Sequence, residues 1–291
     1  MRLEMCWWNT KLTPPTGAMI NKPVCSQLNK KVEEVINTLF EERPLDLLML
    51  CEVYKRDEAL IKKIAEKNEI NYIMATDYTS GVYYDFAVLY EPSKIKIKSL
   101  DYIDEKNSFE QQLRIGVAIE AEFDEIEVTI FISHWNSDMF FGGIKKSHCA
   151  GMLRDKLESL FRKNKELIIL AGDYNSQPFD EVIVEDLQTT KDLVVVRKSP
   201  RSLYNPFWRN LDSRTSDHSY SGSYFNKQDK QDQWKTFDQM MFSNKFIYGN
   251  SWKLDIYSPE IHKEFNNLSF IFTDFFDHIP IYGGLKNEQP K

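Results

Sequence analysis

Apolar side chains at Leu28, Val32, Val35, Ile36, Leu39 and Phe40 recur at the spacing of one helical face, which predicts a helix over residues 26–42. The same periodicity places Leu60, Ile61 and Ile64 together in a helix over 56–68, and Leu153, Leu157, Leu160 and Phe161 in one over 146–164. Between and beyond them lie short runs rich in Ile, Val, Phe and Tyr, at 3–8, 45–51, 82–90, 117–123, 128–133, 167–171, 237–243 and 279–283, each read as a strand. The runs at 117–123 and 128–133 are joined by a few charged residues, as in an antiparallel hairpin, whereas others are separated by a helix, as in a crossover between parallel strands. A mixed α/β sheet architecture follows.

No repeat, linker or shift of composition divides the 291 residues, so one domain over 1–284 is expected, with 285–291 as a frayed polar tail. The longest irregular stretch, 197–233, is rich in Asn, Ser, Asp, Arg and aromatic residues, a character that goes with functional loops. A hydrophobic fraction of 42% excludes disordered and fibrous classes. With 37 Lys+Arg against 44 Asp+Glu, the net charge of −7 excludes a simple basic coat for nucleic acid. Cys6, Cys25, Cys51 and Cys149 show no CxxC spacing and are read as reduced. No apolar run approaches the roughly 20 residues of a membrane span, and Glu4 interrupts what would be a signal peptide's apolar stretch. A cytoplasmic location is expected, with no membrane association and no obligate protein partner.

The chemistry gathers where the strands stop. Run 3–8 ends at Asn9, run 45–51 at Glu52, run 128–133 at His134, and run 167–171 leads to Asp173 with Asn175 two residues on. Asp238 opens the strand of residues 237–243, and Asp277 and His278 precede the last strand. Polar groups at strand ends collect along one edge of a sheet, where ligands of such architectures bind. Carboxylates, amides and imidazoles together make a hard-metal and phosphate site, because oxygen ligands suit Mg²⁺ or Mn²⁺.

In order and spacing, WWN with Asn9, LCEV with Glu52, SHWNS with His134, LAGDYNSQP with Asp173 and Asn175, WKTFDQMMFS with Asp238 and FFDHIP with Asp277 and His278 resemble the motifs of the endonuclease/exonuclease/phosphatase superfamily, with Arg154 on the helix between the third and fourth. The resemblance implies a deoxyribonuclease I-like four-layer α/β sandwich, in which two mostly antiparallel mixed sheets pack face to face between helices. It also implies a divalent-metal-dependent phosphoesterase acting on nucleic acid or a nucleotide. Glu52 would be the principal metal ligand, with Asn9 and Asp277 in support. Asp173 would orient and deprotonate the attacking water, and Asn175 would donate to the phosphate. His278 would contact phosphoryl oxygens, held by Asp238, and His134 would bind phosphate or protonate the leaving group. The same fold also carries phosphatases and phospholipid or inositol-phosphate hydrolases, and a catalytically silent binding protein is the reading from a different class.

Three features have competing readings. Ser216, Asp217 and His218 spell the family's usual terminal motif, whereas FFDHIP carries Phe276 in place of its serine. Only FFDHIP, however, follows the WKTFDQM block and leads straight into an apolar strand, so it is preferred. The alternating KIKIK at 94–98 puts three lysines on one face, as protected edge strands do. Arg197, Lys198, Arg201, Arg209 and Arg214 are interleaved with Tyr204, Phe207 and Trp208. That mixture suits phosphates and stacked bases, with Arg209 as a substrate-binding candidate, and equally suits a cover loop around a buried Trp.

Overall fold

In the computed structural model, which describes residues 1–79, 81–106, 112–137, 142–211, 221–262 and 275–287, the apolar runs pair into two seven-stranded sheets. The main strands are β1 (Arg2–Asn9), β2 (Leu47–Cys51), β3 (Asn71–Thr79), β4 (Val82–Tyr90), β5 (Ile95–Lys106), β6 (Gln112–Phe123), β7 (Ile126–His134), β8 (Ile168–Asp173), β9 (Asp238–Ser243) and β10 (Ile281–Asn287). The long helices are α1 (Ser26–Glu42), α2 (Glu58–Lys67) and α3 (Gly142–Arg162). The first sheet runs in the order Trp252–Leu254, β10, β1, β2, β4, β3, with Glu260–Ile261 also paired to β10, and the second in the order β5, β6, β7, β8, β9, Leu203–Tyr204, Thr189–Thr190.

Each sheet has a parallel pair at its heart, β1 with β2 and β7 with β8, and their main neighbours are antiparallel. Parallel neighbours need a crossover, which α1 supplies in the first sheet and α3 in the second. The consequence for function is geometric. The carboxyl ends of β1, β2, β7 and β8 carry Asn9, Glu52, His134 and Asp173, with Asn9 beside Cys51 and His134 beside Asp173 in register.

Side-chain alternation divides the strands between two cores. Ile130, Ile132, Ile169, Ala171, Met240 and Phe242 face the first sheet and join its residues Trp7, Leu48, Phe86 and Ile281. Their neighbours Phe131, Ile168, Leu170 and Met241 pack on Leu153, Leu157 and Phe161 of α3. Because both faces of these strands are covered, their sequences read as unbroken apolar runs. On the far side, α1 buries Val32, Val35, Ile36 and Leu39, and α2 buries Leu60, Ile61 and Ile64, the stripes that their periodicity predicts. The result is the expected four-layer sandwich. Gly172 lets β7 and β8 close up at the functional end, where an added Cβ would lie 2.5 Å from the Ser133 carbonyl oxygen.

The KIKIK stretch lies in the edge strand β5, and its Lys96 and Lys98 pair with Glu122 at 3.7 and 2.5 Å. Residues 71–79 had no strand assigned because β3 is itself an edge, with exposed and half-buried positions in place of an apolar run. The helix predicted from residue 56 begins instead at Glu58, after a 3₁₀ turn over Lys55–Asp57 in which Tyr54 and Asp57 cap one another. Residues 285–287, assigned to the tail, are the end of β10, where Leu285 pairs with Leu3 and Lys286 with Arg2. The Ser216–His218 string lies outside the described residues.

His262 is buried next to β10, with Tyr282 Oη 2.9 Å from its Nδ1. Burial, with Arg43 nearby, pushes its imidazole from an ordinary 6.5 down to about 4, and Glu260 does not reverse that direction. The folded chain therefore refuses a proton that the unfolded chain accepts, and stability falls as pH drops from 6.5 towards 4. Urea unfolding should show His262 removing about 1.4 kcal/mol between pH 7.5 and 5.5. His262→Gln should lose correspondingly less over that interval, and equal losses in the two proteins would refute the assignment.

Candidate active site

At the edge where the parallel strands end, two imidazoles are each fixed by a buried carboxylate from the opposite sheet. His134, the last residue of β7, has Nδ1 2.7 Å from Asp85 Oδ2 on β4. His278, just before β10, has Nδ1 2.7 Å from Asp238 Oδ2 at the start of β9. With Nδ1 so engaged, each ring turns Nε2 towards Asp173 Oδ2, at 3.8 Å from His134 and 3.6 Å from His278. Both gaps are too long for a hydrogen bond, so the three groups face one another around a common point.

Asn9 closes this ring. Its Nδ2 donates to Asp173 Oδ2 at 3.2 Å and reaches Glu52 Oε1 at 3.4 Å. Its Oδ1 accepts the Lys11 backbone N–H. Glu52 follows β2 in a left-handed conformation, φ 55°, and its amide donates to Asp85 Oδ2 at 3.1 Å. Asp85 thus orients both His134 and Glu52. Asn175, also left-handed at φ 47°, donates its amide to Asp173 Oδ1 at 3.0 Å and its Nδ2 to the Trp135 carbonyl at 2.8 Å. The Lys146 ammonium donates to the carbonyl of Asn175 from α3. Trp7 and Trp8, both buried, complete the frame by donating Nε1 to Asp238 Oδ1 at 2.9 Å and to the His278 carbonyl at 3.1 Å. The Tyr224 ring packs on the His278 face, 4.7 Å between centroids.

The electrostatics follow from this packing. Burial alone would push the His278 imidazole down, but Asp238 and Asp173 outweigh it and hold the group up at about 10. His134 is likewise raised against burial, chiefly by Asp85. Burial pushes the Glu52 carboxyl up, countered by His134 and reinforced by Asp85 and Asp277. Asp277 pairs with Lys11 Nζ at 2.9 Å.

Of the residues singled out from sequence, Asn9, Glu52, His134, Asp173, Asn175, Asp238 and His278 are brought into one contact network, with Asp277 at its rim. Arg209 is engaged elsewhere, with its guanidinium on the Ile256 carbonyl and the Tyr204 hydroxyl, over the Tyr257 ring. Arg201 pairs with Glu158 at 2.9 Å, and Arg197 lies over Tyr248. Asp85, Trp7, Lys11 and Tyr224 were missed. Asp85 carried a usable signal, since a lone acid inside the apolar run VYYDFAVLY has to find a buried partner. A separate cavity of about 360 Å³ lies at the opposite end of the second sheet, where Lys98, Lys165 and Lys245 are paired with Glu127, Glu120 and Glu166. None of the strand-end residues lines it.

Two groupings have the chemistry to hold a cation. Ligand atoms of Asp173, Asp238 and His278 lie within 4.8 Å of one another. Asp238, however, already accepts from Trp7 with one oxygen and bonds His278 with the other. Glu52 has a single hydrogen-bond donor on its carboxylate, Asn9 Nδ2 at 3.4 Å, with His134 Nε2 3.8 Å from the same Oε1, and its Oε2 makes no hydrogen bond among the described residues. The open, destabilised carboxylate is therefore Glu52.

The sequence profile of the endonuclease/exonuclease/phosphatase family matches residues 17–267. Among curated protein sequences, none matches the chain at a significant level. Solved structures do. The human Nocturnin catalytic domain with bound sulfate anion superposes with a TM-score of 0.62 at 15% identity, over 98% of this chain and 94% of that one. An endonuclease/exonuclease/phosphatase from Bacteroides vulgatus gives 0.61 at 12% identity, over 99% and 100%. D. rerio TDP2 complexed with single strand DNA product gives 0.58 at 14%, over 98% and 99%.

The Asp85–His134 pair should behave as a charge-assisted hydrogen bond with no water to replace it. In a double-mutant cycle of Asp85→Asn and His134→Gln measured by urea unfolding, the coupling should reach about 1.5 kcal/mol or more. Additivity within about 0.3 kcal/mol would show that the two side chains are neighbours without being partners.

Proposed function

The chain belongs to the endonuclease/exonuclease/phosphatase family, and from that premise we propose that it is a divalent-metal-dependent phosphoesterase, a phosphodiesterase or nuclease that hydrolyses nucleic acid or a nucleotide. The observation that carries the proposal is the convergence of two carboxylate-anchored imidazoles on Asp173, with Asn9 and Glu52 completing the ring. Every position that hydrolysis needs is filled by a competent side chain, which argues against a silent binding protein. The single-stranded DNA product held by D. rerio TDP2 on the same fold supports a nucleic-acid substrate here. Cys6, Cys25, Cys51 and Cys149 form no disulfide, which agrees with a reducing, cytoplasmic setting.

In-line hydrolysis needs a base for water, donors for the phosphoryl oxygens and a proton for the departing oxygen. Asp173 is the base. The Asn9 and Asn175 donors each take one lone pair on its two oxygens, and Oδ2, which both imidazoles face, keeps a second for the attacking water. As that water attacks phosphorus, its proton passes to Asp173, the new P–O bond forms and the opposite P–O bond breaks. His278, charged at neutral pH through Asp238, donates Nε2–H to a non-bridging oxygen. His134, anchored in the same way by Asp85, gives its Nε2 proton to the leaving oxygen. Asn175 has a second amide hydrogen for the phosphate beyond the one on Trp135.

Glu52 would hold the cation, which suits Mg²⁺ or Mn²⁺ because the donors are oxygens. Asn9 would join only by turning its amide over, whereas Asp277 would offer Oδ1, since Lys11 takes Oδ2. When bound, the ion supplies positive charge against the phosphoryl group.

EDTA should therefore abolish turnover of a single-stranded oligonucleotide, and Mg²⁺ or Mn²⁺ should restore it. Asp173→Asn and His278→Ala should each lower kcat by at least about 10²-fold with the fold intact by circular dichroism. Full turnover in chelator, or a folded double variant at the wild-type rate, would overturn the proposal.

A further inference from the structure

Beside the ring of polar groups lies a cluster of tyrosines that the hydrolytic scheme does not use. Tyr78 on β3 and Tyr83 on β4 are directly opposite in register, with ring centroids 4.4 Å apart and planes inclined by 31°. Tyr54 meets Tyr83 edge to face at 5.8 Å. Two of the three are tied to the site by the shortest stretches of chain. Tyr54 lies two residues after Glu52, and Tyr83 two residues before Asp85, which holds both His134 Nδ1 and the Glu52 amide. Along β4, the two residues from Tyr83 to Asp85 span about 7 Å, close to the distance from one phosphate to the neighbouring base.

These rings are presented to solvent where a structural cluster would be covered. Tyr78 is 54% exposed, and Tyr54 and Tyr83 are half-buried. A cross-strand aromatic pair contributes about 0.2–1 kcal/mol to a hairpin, but that does not call for a third ring from the segment that follows Glu52. The charge on the chain points the same way. At −7 it has no broad attraction for a polyanion, and Arg197, Arg201 and Arg209 are engaged by Tyr248, Glu158 and the Ile256 carbonyl. Beyond the phosphate contacts of the polar ring, grip has to come from groups that do not depend on charge, and stacking of a base on an aromatic ring is one, worth about 1–3 kcal/mol per base. In a duplex both faces of a base are already stacked, so the partner is an unpaired one.

We propose that Tyr54, Tyr78 and Tyr83 form a stacking platform for an unpaired nucleobase next to the phosphate bound at the polar ring. This rests on the nucleic-acid reading of that ring and adds to it the single-stranded substrate and the residues that select it.

The test separates binding from turnover. Fluorescence anisotropy in EDTA, so that nothing is cleaved, would follow labelled single-stranded DNA and RNA of one sequence, the same DNA with tetrahydrofuran abasic sites, and a blunt duplex. Wild type should bind the abasic strand and the duplex about tenfold more weakly than intact single strands. Tyr78→Ala and Tyr83→Ala should weaken intact strands about tenfold without affecting the abasic one, and Tyr78→Phe should keep wild-type affinity. Unfolding midpoints of each variant report its folding, and should Tyr83→Ala fail to fold, Tyr78→Ala, on the more exposed ring, decides alone. Variant affinity equal to wild type, equal loss on the abasic strand, or no binding of single strands by wild type would each overturn the platform. Hydrolysis of bis(p-nitrophenyl) phosphate with Mg²⁺ or Mn²⁺ judges the catalytic reading separately, because it needs no nucleobase.

Discussion

Two short bonds between carboxylate and imidazole, Asp85 to His134 and Asp238 to His278, each cross from one sheet to the other. Removing an acid from water is costly unless it is paired and hydrogen-bonded, and at this edge Asp85, Asp173 and Asp238 are all buried. Their requirement for partners fixes how the sheets meet. His134 belongs to the second sheet and finds its acid on the first, whereas His278 leads into the first sheet and finds its acid on the second. The sandwich cannot slide or splay at this end without stranding a buried charge. Trp7 reinforces the tie by reaching across to Asp238 from β1.

The pattern of apolar runs revealed most of the fold because both faces of the central strands are covered, which makes their sequences continuous in hydrophobicity. It revealed least at the edges. β3 and β5 alternate weakly or carry lysines, since an edge strand is half in water. The polar residues that end the central runs were legible for the same reason as the runs themselves, because a charged or amide side chain directly after five or six buried positions has few places to go. Asp85 escaped because it sits inside a run, and Lys11 and Tyr224 because their roles depend on what lies across the gap. Arg209 stands apart from that edge. Basic and aromatic residues close in sequence looked like a binding surface, yet folding set the guanidinium on a neighbouring carbonyl and hydroxyl.

Net charge is a poor guide to what this chain holds. Acid is concentrated at the polar edge, but most of it is neutralised there, Asp85 and Asp238 by histidines and Asp277 by Lys11. Glu52 is the exception, a carboxyl that burial disfavours as an anion and that few donors relieve. Compensation that is close at Asp85, Asp238 and Asp277 and looser at Glu52, where His134 Nε2 stands 3.8 Å away, suits an oxygen-lined cation site, and the average of −7 conceals it.

The two parallel pairs also share a way of leaving the sheet. After β2 the chain turns through Glu52 at φ 55°, and after β8 it turns through Asn175 at φ 47°, both in the left-handed region. Such conformations cost of order 1 kcal/mol or more away from glycine, and they persist only where the surroundings over-determine them. Here they do. Glu52 is fixed by its amide on Asp85 and by its carbonyl, which accepts from the Thr13 amide at 2.6 Å. Asn175 is fixed by its amide on Asp173, its side chain on Trp135 and its carbonyl under Lys146. In both turns the strained residue's own amide donates to a carboxylate of the polar edge, Asp85 for Glu52 and Asp173 for Asn175. Strain and site therefore form one construction, and the same bonds that tolerate the left-handed turns set the polar ring before any ligand arrives.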